Sequence, residues 1–407
     1  MGFVFDPYAP GFTDDPYTVF DSLRSAEPLS WQEPPGLMFV SRHRDVAAIL
    51  RDRRFGRDIV DALGPIDDHR EVPAAYPMWS RYIRRGAFLD REGDYHTRLR
   101  AMVARHFTKK RVAELRPRLE AEAELQLDEI GRDGITDLID GYAVALPLRA
   151  IGDLLGIPGL DRHRLITWSR AIVGLYEIEA GREVGIAAEA ATVEFVDYLT
   201  DLISMRRADP GNDLLSALAH DEGINNEELI GTAILLLNAG HEATVHAIGN
   251  SVHALLTHPD QLDLLRSGAI SFRKAVDELL RFDTPLQMFE RWVTTDIDWD
   301  GHLLAAGSKV GLLMGAANRD PAVFANPGAL DLRRDASQHV SFGGGAHFCL
   351  GAPLGRLEIE IALERLVRRY PDLGLAGDAV RIDGFVFRGF KTLLVGTGGD
   401  SRSVKAE

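Results

Sequence analysis

The only cysteine among 407 residues, Cys349, lies in Phe342-Gly343-Gly344-Gly345-Ala346-His347-Phe348-Cys349-Leu350-Gly351. A lone thiol is most often a small buried hydrophobe. Its setting here argues for chemistry instead. Three consecutive glycines let the backbone bend tightly and lie close against a flat ligand, and Gly351 continues the bend. A helix expected to open just after it would aim N–H groups and a positive dipole end at the sulfur. Such a field is expected to lower the thiol pKa, and the thiolate is the form that binds metal.

A second group lies in Leu235-Leu236-Leu237-Asn238-Ala239-Gly240-His241-Glu242-Ala243-Thr244. Glycine inside a helix costs about 1 kcal/mol against alanine. Ala239 and Gly240 would let a ligand approach the backbone, and Glu242 beside them could relay protons. Two charged pairs share helix faces: Glu278 with Arg281 at i,i+3, and His96 with Arg100 at i,i+4.

The elements that must position these residues are mostly helical. Periodicity predicts helices over about Gly93–His106, Lys110–Ile130, Ala143–Leu155, Leu160–Val173 and Val184–Ala208, the last stopped by Pro210-Gly211. The longest runs from Asn225, with Glu228 as a capping partner, to Leu256. Further helices span Ser271–Arg281 and about Ala352–Arg369. Short strands are expected at Leu37–Val40, Trp292-Val293 and Lys309–Leu313. The segment from Val60 to Phe88, with Gly64-Pro65, Pro73 and Pro77, reads as a long loop with helical pieces. One mainly α domain with minor β structure is expected over residues 1–397, followed by a polar, loose tail, 398–407.

Composition narrows the partners. Forty-six Lys and Arg against 61 Asp and Glu leave a formal charge of -15, which disfavours nucleic acid. One cysteine excludes a disulfide within the chain and fits a reducing cytoplasm. The start, Met1-Gly2-Phe3-Val4-Phe5-Asp6-Pro7, lacks a basic, apolar leader, and no apolar run reaches the ~18 residues of a membrane span. A cytoplasmic monomer is expected.

The Cys349 loop resembles the haem-ligand signature of the cytochrome P-450 family, Phe-Gly-x-Gly-x-His-x-Cys-x-Gly, at every specified position from Phe342 to Gly351. The resemblance extends from about Asp6 to Val395. It implies the family's triangular, α-rich prism with small β-sheets, heme b (iron protoporphyrin IX) as cofactor, and Cys349 as axial iron ligand, whose charge favours O–O cleavage. Ala239–Thr244 is similar to the family's oxygen-binding helix, Ala-Gly-x-(Asp/Glu)-Thr. The usual alcohol after the acid is replaced by Ala243, which cannot donate a hydrogen bond. Thr244, an ordered water or a substrate hydroxyl could substitute, and water held by a polar substrate is the favoured reading. Glu278 and Arg281 match the family's Glu-x-x-Arg pair, completed by Arg334 from the later coil. His96, Arg100, Arg291 and His347 match its contacts to the haem propionates.

The same resemblance puts Met78, Trp79, Leu236, Ala239, Gln287, Met288, Phe289, Phe385 and Val386 on the substrate side. Such a lining suits a medium-sized hydrophobic molecule, free or carrier-bound, with Gln287 as an orienting group. The reaction implied is hydroxylation or epoxidation in secondary metabolism. Electrons would come from a ferredoxin and its reductase, docking at Arg105, Lys109, Lys110 and Arg111 or at Arg365, Arg368 and Arg369. Oxidative coupling or ring formation, and a haem sensor or carrier, are the alternatives. A peroxygenase is disfavoured because His241-Glu242-Ala243 offers no arginine for a substrate carboxylate.

Overall fold

The computed structural model of the protein describes residues 3–33, 35–58, 76–130, 134–158 and 162–398. Helices dominate it. The principal ones are α1 (Gly93–Ala104), α2 (Lys109–Ile130), α3 (Ala145–Leu155), α4 (Arg162–Val173), α5 (Arg182–Ala208), α6 (Asn226–Thr257), α7 (Phe272–Phe282) and α8 (Ala352–Arg369). The expected start at Leu160, the stretch 60–75 and the tail from 399 lie outside the described residues. A π-helical turn, Ile139–Ala143, leads into α3, ahead of the helix expected from about Ala143.

Helix α6 is the axis of the molecule. The Asn225 side chain accepts from the Glu228 N–H at 3.0 Å, and the Glu228 carboxylate accepts from the Asn225 N–H at 3.0 Å. This reciprocal cap satisfies two otherwise orphaned donors. From there α6 runs buried between α3, α4 and α8, so its apolar residues face every direction. Gly231 lets the Tyr82 carbonyl pack against it, since a Cβ there would stand 2.4 Å from that oxygen. The burial is interrupted mid-helix: Ala239 is exposed, and Gly240 and Ala243 are half-buried.

Among the described residues, ten strands complete the fold. They are β1 (Leu29–Gln32), β2 (Leu37–Val40), β3 (Phe55–Gly56), β4 (Ile135–Asp137), β5 (Met288–Val293), β6 (Ile297–Trp299), β7 (His302–Leu304), β8 (Lys309–Leu313), β9 (Gly374–Arg381) and β10 (Phe390–Gly396). The largest sheet has the order β1-β2-β8-β5-β3, parallel only between β2 and β8. Its strand β5 pairs Phe289 with Leu312 and Arg291 with Val310. A second sheet orders β4-β10-β9, and β6-β7 is a hairpin. No described helix is long and apolar enough to cross a membrane.

Candidate active site

The thiol sits on a loop closed by its own backbone. The Cys349 N–H donates to the Phe342 carbonyl at 2.9 Å, Gly343 N–H to Val340 at 2.7 Å, and Phe348 N–H to Gly345 at 3.2 Å. Gly343 and Gly345 adopt φ of +69° and +64°, the left-handed region where a side chain is strained. A Cβ on Gly345 would also meet the Leu50 carbonyl at 2.3 Å. Phe342 carries the Arg356 guanidinium over its ring at 4.3 Å. Gly351 is the N-cap of α8, as expected.

The expected lowering of the thiol pKa is corrected by the structure. Residue Cys349 is exposed, yet protein crowds its sulfur, and that loss of water pushes the thiol up. The N–H groups of Gly351 and Ala352 and the charges of Arg100 and Arg356 pull down without prevailing. A thiolate here therefore depends on a bond to a cation, because a coordinating thiol is deprotonated outright.

Beside the loop is a cluster of cations short of anions. The rings of His96, on α1, and His347 stand 4.4 Å apart. His347 Nε2 reaches Glu92 Oε1 at 2.9 Å. Burial pushes Glu92 up, but that bond and the His347 charge carry it below its usual range. His96 Nε2 is buried with no hydrogen-bond partner. Burial, then the His347 and Arg100 charges, push His96 down to about 4. Arg100 donates to the Phe348 carbonyl. Arg291, on β5, is 2 % exposed and pairs with no carboxylate among the described residues. It donates to the Glu290 carbonyl at 2.9 Å and lies 4.8 Å from the Phe289 ring. Burial, then the Arg57 charge, push Arg291 down to about 9.

Sequence reasoning missed Arg57, which belongs to this cluster. Its guanidinium lies 4.4 Å from the same Phe289 ring and pairs with Asp90. Its backbone N–H donates to Glu92 Oε1 at 2.7 Å. No motif marks it. The buried Arg291 charge and the orphaned His96 nitrogen want an anion, and the carboxylates of a porphyrin suit them. The residues present fit a haem held by the Cys349 sulfur.

The acid of α6 is buried in unusual company. Glu242 Oε1 lies 3.4 Å from His241 Nε2, and its Oε2 3.9 Å from His246 Nε2. Thr244 lies on the α8 side, where a Cβ on Gly355 would stand 3.7 Å from its hydroxyl. Burial pushes Glu358 well above the usual carboxyl range, against the pull of the neighbouring Thr244. Glu358 and the two histidines were not singled out by sequence. An acid inside Leu357-Glu358-Ile359 was the available signal.

The expected triad assembles. Glu278, 1 % exposed, receives Arg281 Nε on Oε2 at 2.6 Å and Arg334 Nε on Oε1 at 3.2 Å. On the expected substrate side the outcome divides. Met78, Phe289 and Ala239 keep accessible surface, while Leu236 joins the main core. Trp79 is buried and donates its indole N–H to the Ile172 carbonyl at 3.2 Å. Gln287 donates to the Thr284 carbonyl at 2.6 Å, and its buried Oε1 has no partner. The side chains of Met288, Phe385 and Val386 are buried in a cluster with Phe5, Phe12 and Phe39. Phe385 stands 5.7 Å from Phe5 and from Phe12, so aromatic packing consumes its face.

Of the two basic clusters, that on α8 is neutralised. Arg365 pairs with Glu120 and Glu124, Arg368 with Glu364, and Arg369 with Asp128. Arg105 pairs with Asp221. Lys109, Lys110 and Arg111 are exposed and make no ion pair among the described residues.

Comparison with known proteins agrees with this geometry. The profile of the Cytochrome P450 family matches residues 272–372, which include Glu278, Arg281, Arg291, Arg334 and Cys349. Cytochrome P450 monooxygenase PikC of Streptomyces venezuelae is 36% identical over 94% of this chain and 91% of its own. The 6-deoxyerythronolide B hydroxylase of Saccharopolyspora erythraea is 36% identical over 93% and 94%. The solved structure of P450BioI with a hexadec-9Z-enoic acid ligated acyl carrier protein is 33% identical, with a TM-score of 0.89 over 95% of this chain and 100% of that one.

Proposed function

As a member of the cytochrome P450 family the chain is a haem-thiolate monooxygenase with heme b as cofactor, and we propose that it oxidises a medium-sized hydrophobic natural product, using electrons from a ferredoxin and its reductase. When bound, the haem supplies the oxygen chemistry that inserts one atom of O₂ into a C–H bond and reduces the other to water. Residues 1–397 form the single domain for this task.

Each site residue has a part in this reading. Cys349 binds iron, and Phe342 and Gly351 shape its loop. His96, Arg100, Arg291 and His347 hold the two propionates. Glu278, Arg281 and Arg334 fix the coil that carries the thiol. Glu242 stands beside the accessible face made by Ala239 and Ala243, where an acid can relay protons. Thr244, turned toward Glu358, is unavailable there. That supports water held by the substrate as the donor in place of the missing alcohol. The lining favours an apolar substrate that touches Met78, Ala239 and Phe289. Whether it arrives free or on a carrier, the acyl-carrier complex of the related P450BioI makes the second route chemically reasonable. Electron delivery is assigned to Lys109, Lys110 and Arg111, the members of the two basic clusters that make no ion pair among the described residues.

The carrying observation is the buried Arg291 charge and orphaned His96 nitrogen beside a glycine-bent thiol loop. The test is the absorption spectrum of the reduced, carbon-monoxide-treated protein. Wild type must show the thiolate-type band and Cys349→Ser must lose it. A second reading, oxidative ring formation without oxygen insertion, is favoured by Ala243. Product mass distinguishes it.

A further inference from the structure

Helix α6 carries three buried titratable side chains within two turns: His241 at 1 % exposed, Glu242 at 6 % and His246 at 8 %. The family's oxygen-helix motif accounts only for the acid.

The hydrogen-bond geometry limits where protons sit. His241 Nδ1 faces the Leu237 carbonyl at 3.3 Å. A carbonyl oxygen only accepts, so Nδ1 carries hydrogen. The other nitrogen, Nε2, lies 3.4 Å from Glu242 Oε1, a buried oxygen with no hydrogen-bond partner. Burial favours the neutral ring, against the pull of Glu242. A neutral ring protonated on Nδ1 presents a lone pair at Nε2, and an ionised carboxylate presents only lone pairs. Two acceptors this close in a buried site repel each other. One proton between them removes the conflict, whether it rests on oxygen or nitrogen, and leaves the pair with no net charge.

His246 completes a line. Its Nε2 lies 3.9 Å from Glu242 Oε2, and its Nδ1 has no partner. The ring is admitted by a glycine: a Cβ on Gly389 would stand 2.1 Å from Nδ1. Phe387 covers it from the same turn, 6.0 Å between ring centres. An imidazole takes a proton on one nitrogen and releases another from the second. The charged groups that reach the cluster from other elements are few. Arg170, on α4, acts on both histidines and pairs with Asp140 at 3.9 Å.

We propose that His241 and Glu242 store one shared proton next to Ala243 and that His246 reloads it, so that the two histidines are positioning residues for proton supply to the oxygen side of α6. One proton leaves the pair and one enters through His246 from water. No electron moves. The proposal rests on the reading of Glu242 given above.

The test uses holoenzyme in its reduced carbon-monoxide form, with nitrogen-15 in histidine and resonances assigned through His241→Gln and His246→Gln. The expected His241 Nε2 signal lies between the protonated and unprotonated positions and moves to the unprotonated one in Glu242→Gln. A signal already at the unprotonated position in wild type, and unmoved by that substitution, overturns the proposal. In turnover, His246→Gln and Gly389→Ala should enlarge the solvent isotope effect and raise the share of electrons lost to peroxide. Values equal to wild type in both variants overturn the reloading role. The same spectra show the thiolate band. Its absence would sink the haem-thiolate reading itself, whereas its presence with an unshifted His241 sinks only the stored proton.

Discussion

Two buried charged clusters, both built on helices that pack around the haem-ligand loop, are solved in opposite ways. In the α7 cluster every strong group is matched. Arg281, with no exposed surface, donates to both Glu278 oxygens and to the carbonyls of Asn318, Pro327 and Ala329. Glu278 Oε1 also accepts from Arg334 and from the Asp331 N–H at 3.0 Å. In the α6–α8 cluster Glu242 Oε1, His246 Nδ1 and Glu358 Oε1 have no hydrogen-bond partner. A satisfied buried network rigidifies what it joins, and unsatisfied buried groups mark strain or chemistry. On the reading proposed above, the first cluster holds the coil and the second is where protons move.

Breaking the first cluster is expected to have the largest effect. Glu278→Ala leaves the buried Arg281 guanidinium and the half-buried Arg334 facing an empty acceptor, at a cost of about 3–5 kcal/mol. That is a large part of the roughly 5–15 kcal/mol by which a fold is stable. Soluble yield and haem per chain should both fall close to zero. Haem content equal to wild type would show that the coil does not depend on this knot.

The second cluster should reveal itself through acid. Burial, against the Glu242 charge, pushes His246 down to about 4. In the unfolded chain its pKa returns to about 6.5. Between these values the unfolded chain binds the proton and the folded one does not, so stability falls as pH drops through the window. At about 1.4 kcal/mol per unit, the loss from pH ~6.5 to ~5 is about 2 kcal/mol from this residue. Urea midpoints measured across that range should flatten in His246→Gln. An unchanged slope would mean that His246 is already charged in the fold.

Much of this was legible because the chemistry is local in sequence. The Cys349 loop, the Asn225–Glu228 cap and the Glu278–Arg281 pair each lie within ten residues, and all three form. Arg334 was reached only through the family resemblance, and its 3.2 Å contact to Glu278 matches it. The failures share a physical cause: burial is a property of neighbours. The Cys349 thiol is pushed up by crowding that no local pattern announces. Phe385 points into an aromatic cluster supplied by the distant Phe5 and Phe12. Arg57 joins Arg291 only because Phe289 lies between them. Strands β9 and β10 were missed because their pairing is broken by register shifts and Gly-Asp content masks the alternation.

The smallest expected effect discriminates most sharply between the two clusters. Glu358 is as buried as Glu278, at 1 % exposed each. One acid is matched by two arginines and is needed as an anion. The other has Thr244 as its neighbour, and burial pushes it far above the usual carboxyl range. A protonated acid and an amide have nearly the same shape; each offers one acceptor oxygen beside a donor, a single O–H in the acid and an NH2 group in the amide. Glu358→Gln should therefore alter unfolding stability by less than about 1 kcal/mol, the net worth of a typical hydrogen bond. The infrared band of a protonated carboxyl should disappear with it. If that variant unfolds as readily as Glu278→Ala, Glu358 is an anion with a partner, and the contrast between a structural knot and a proton-holding cluster fails.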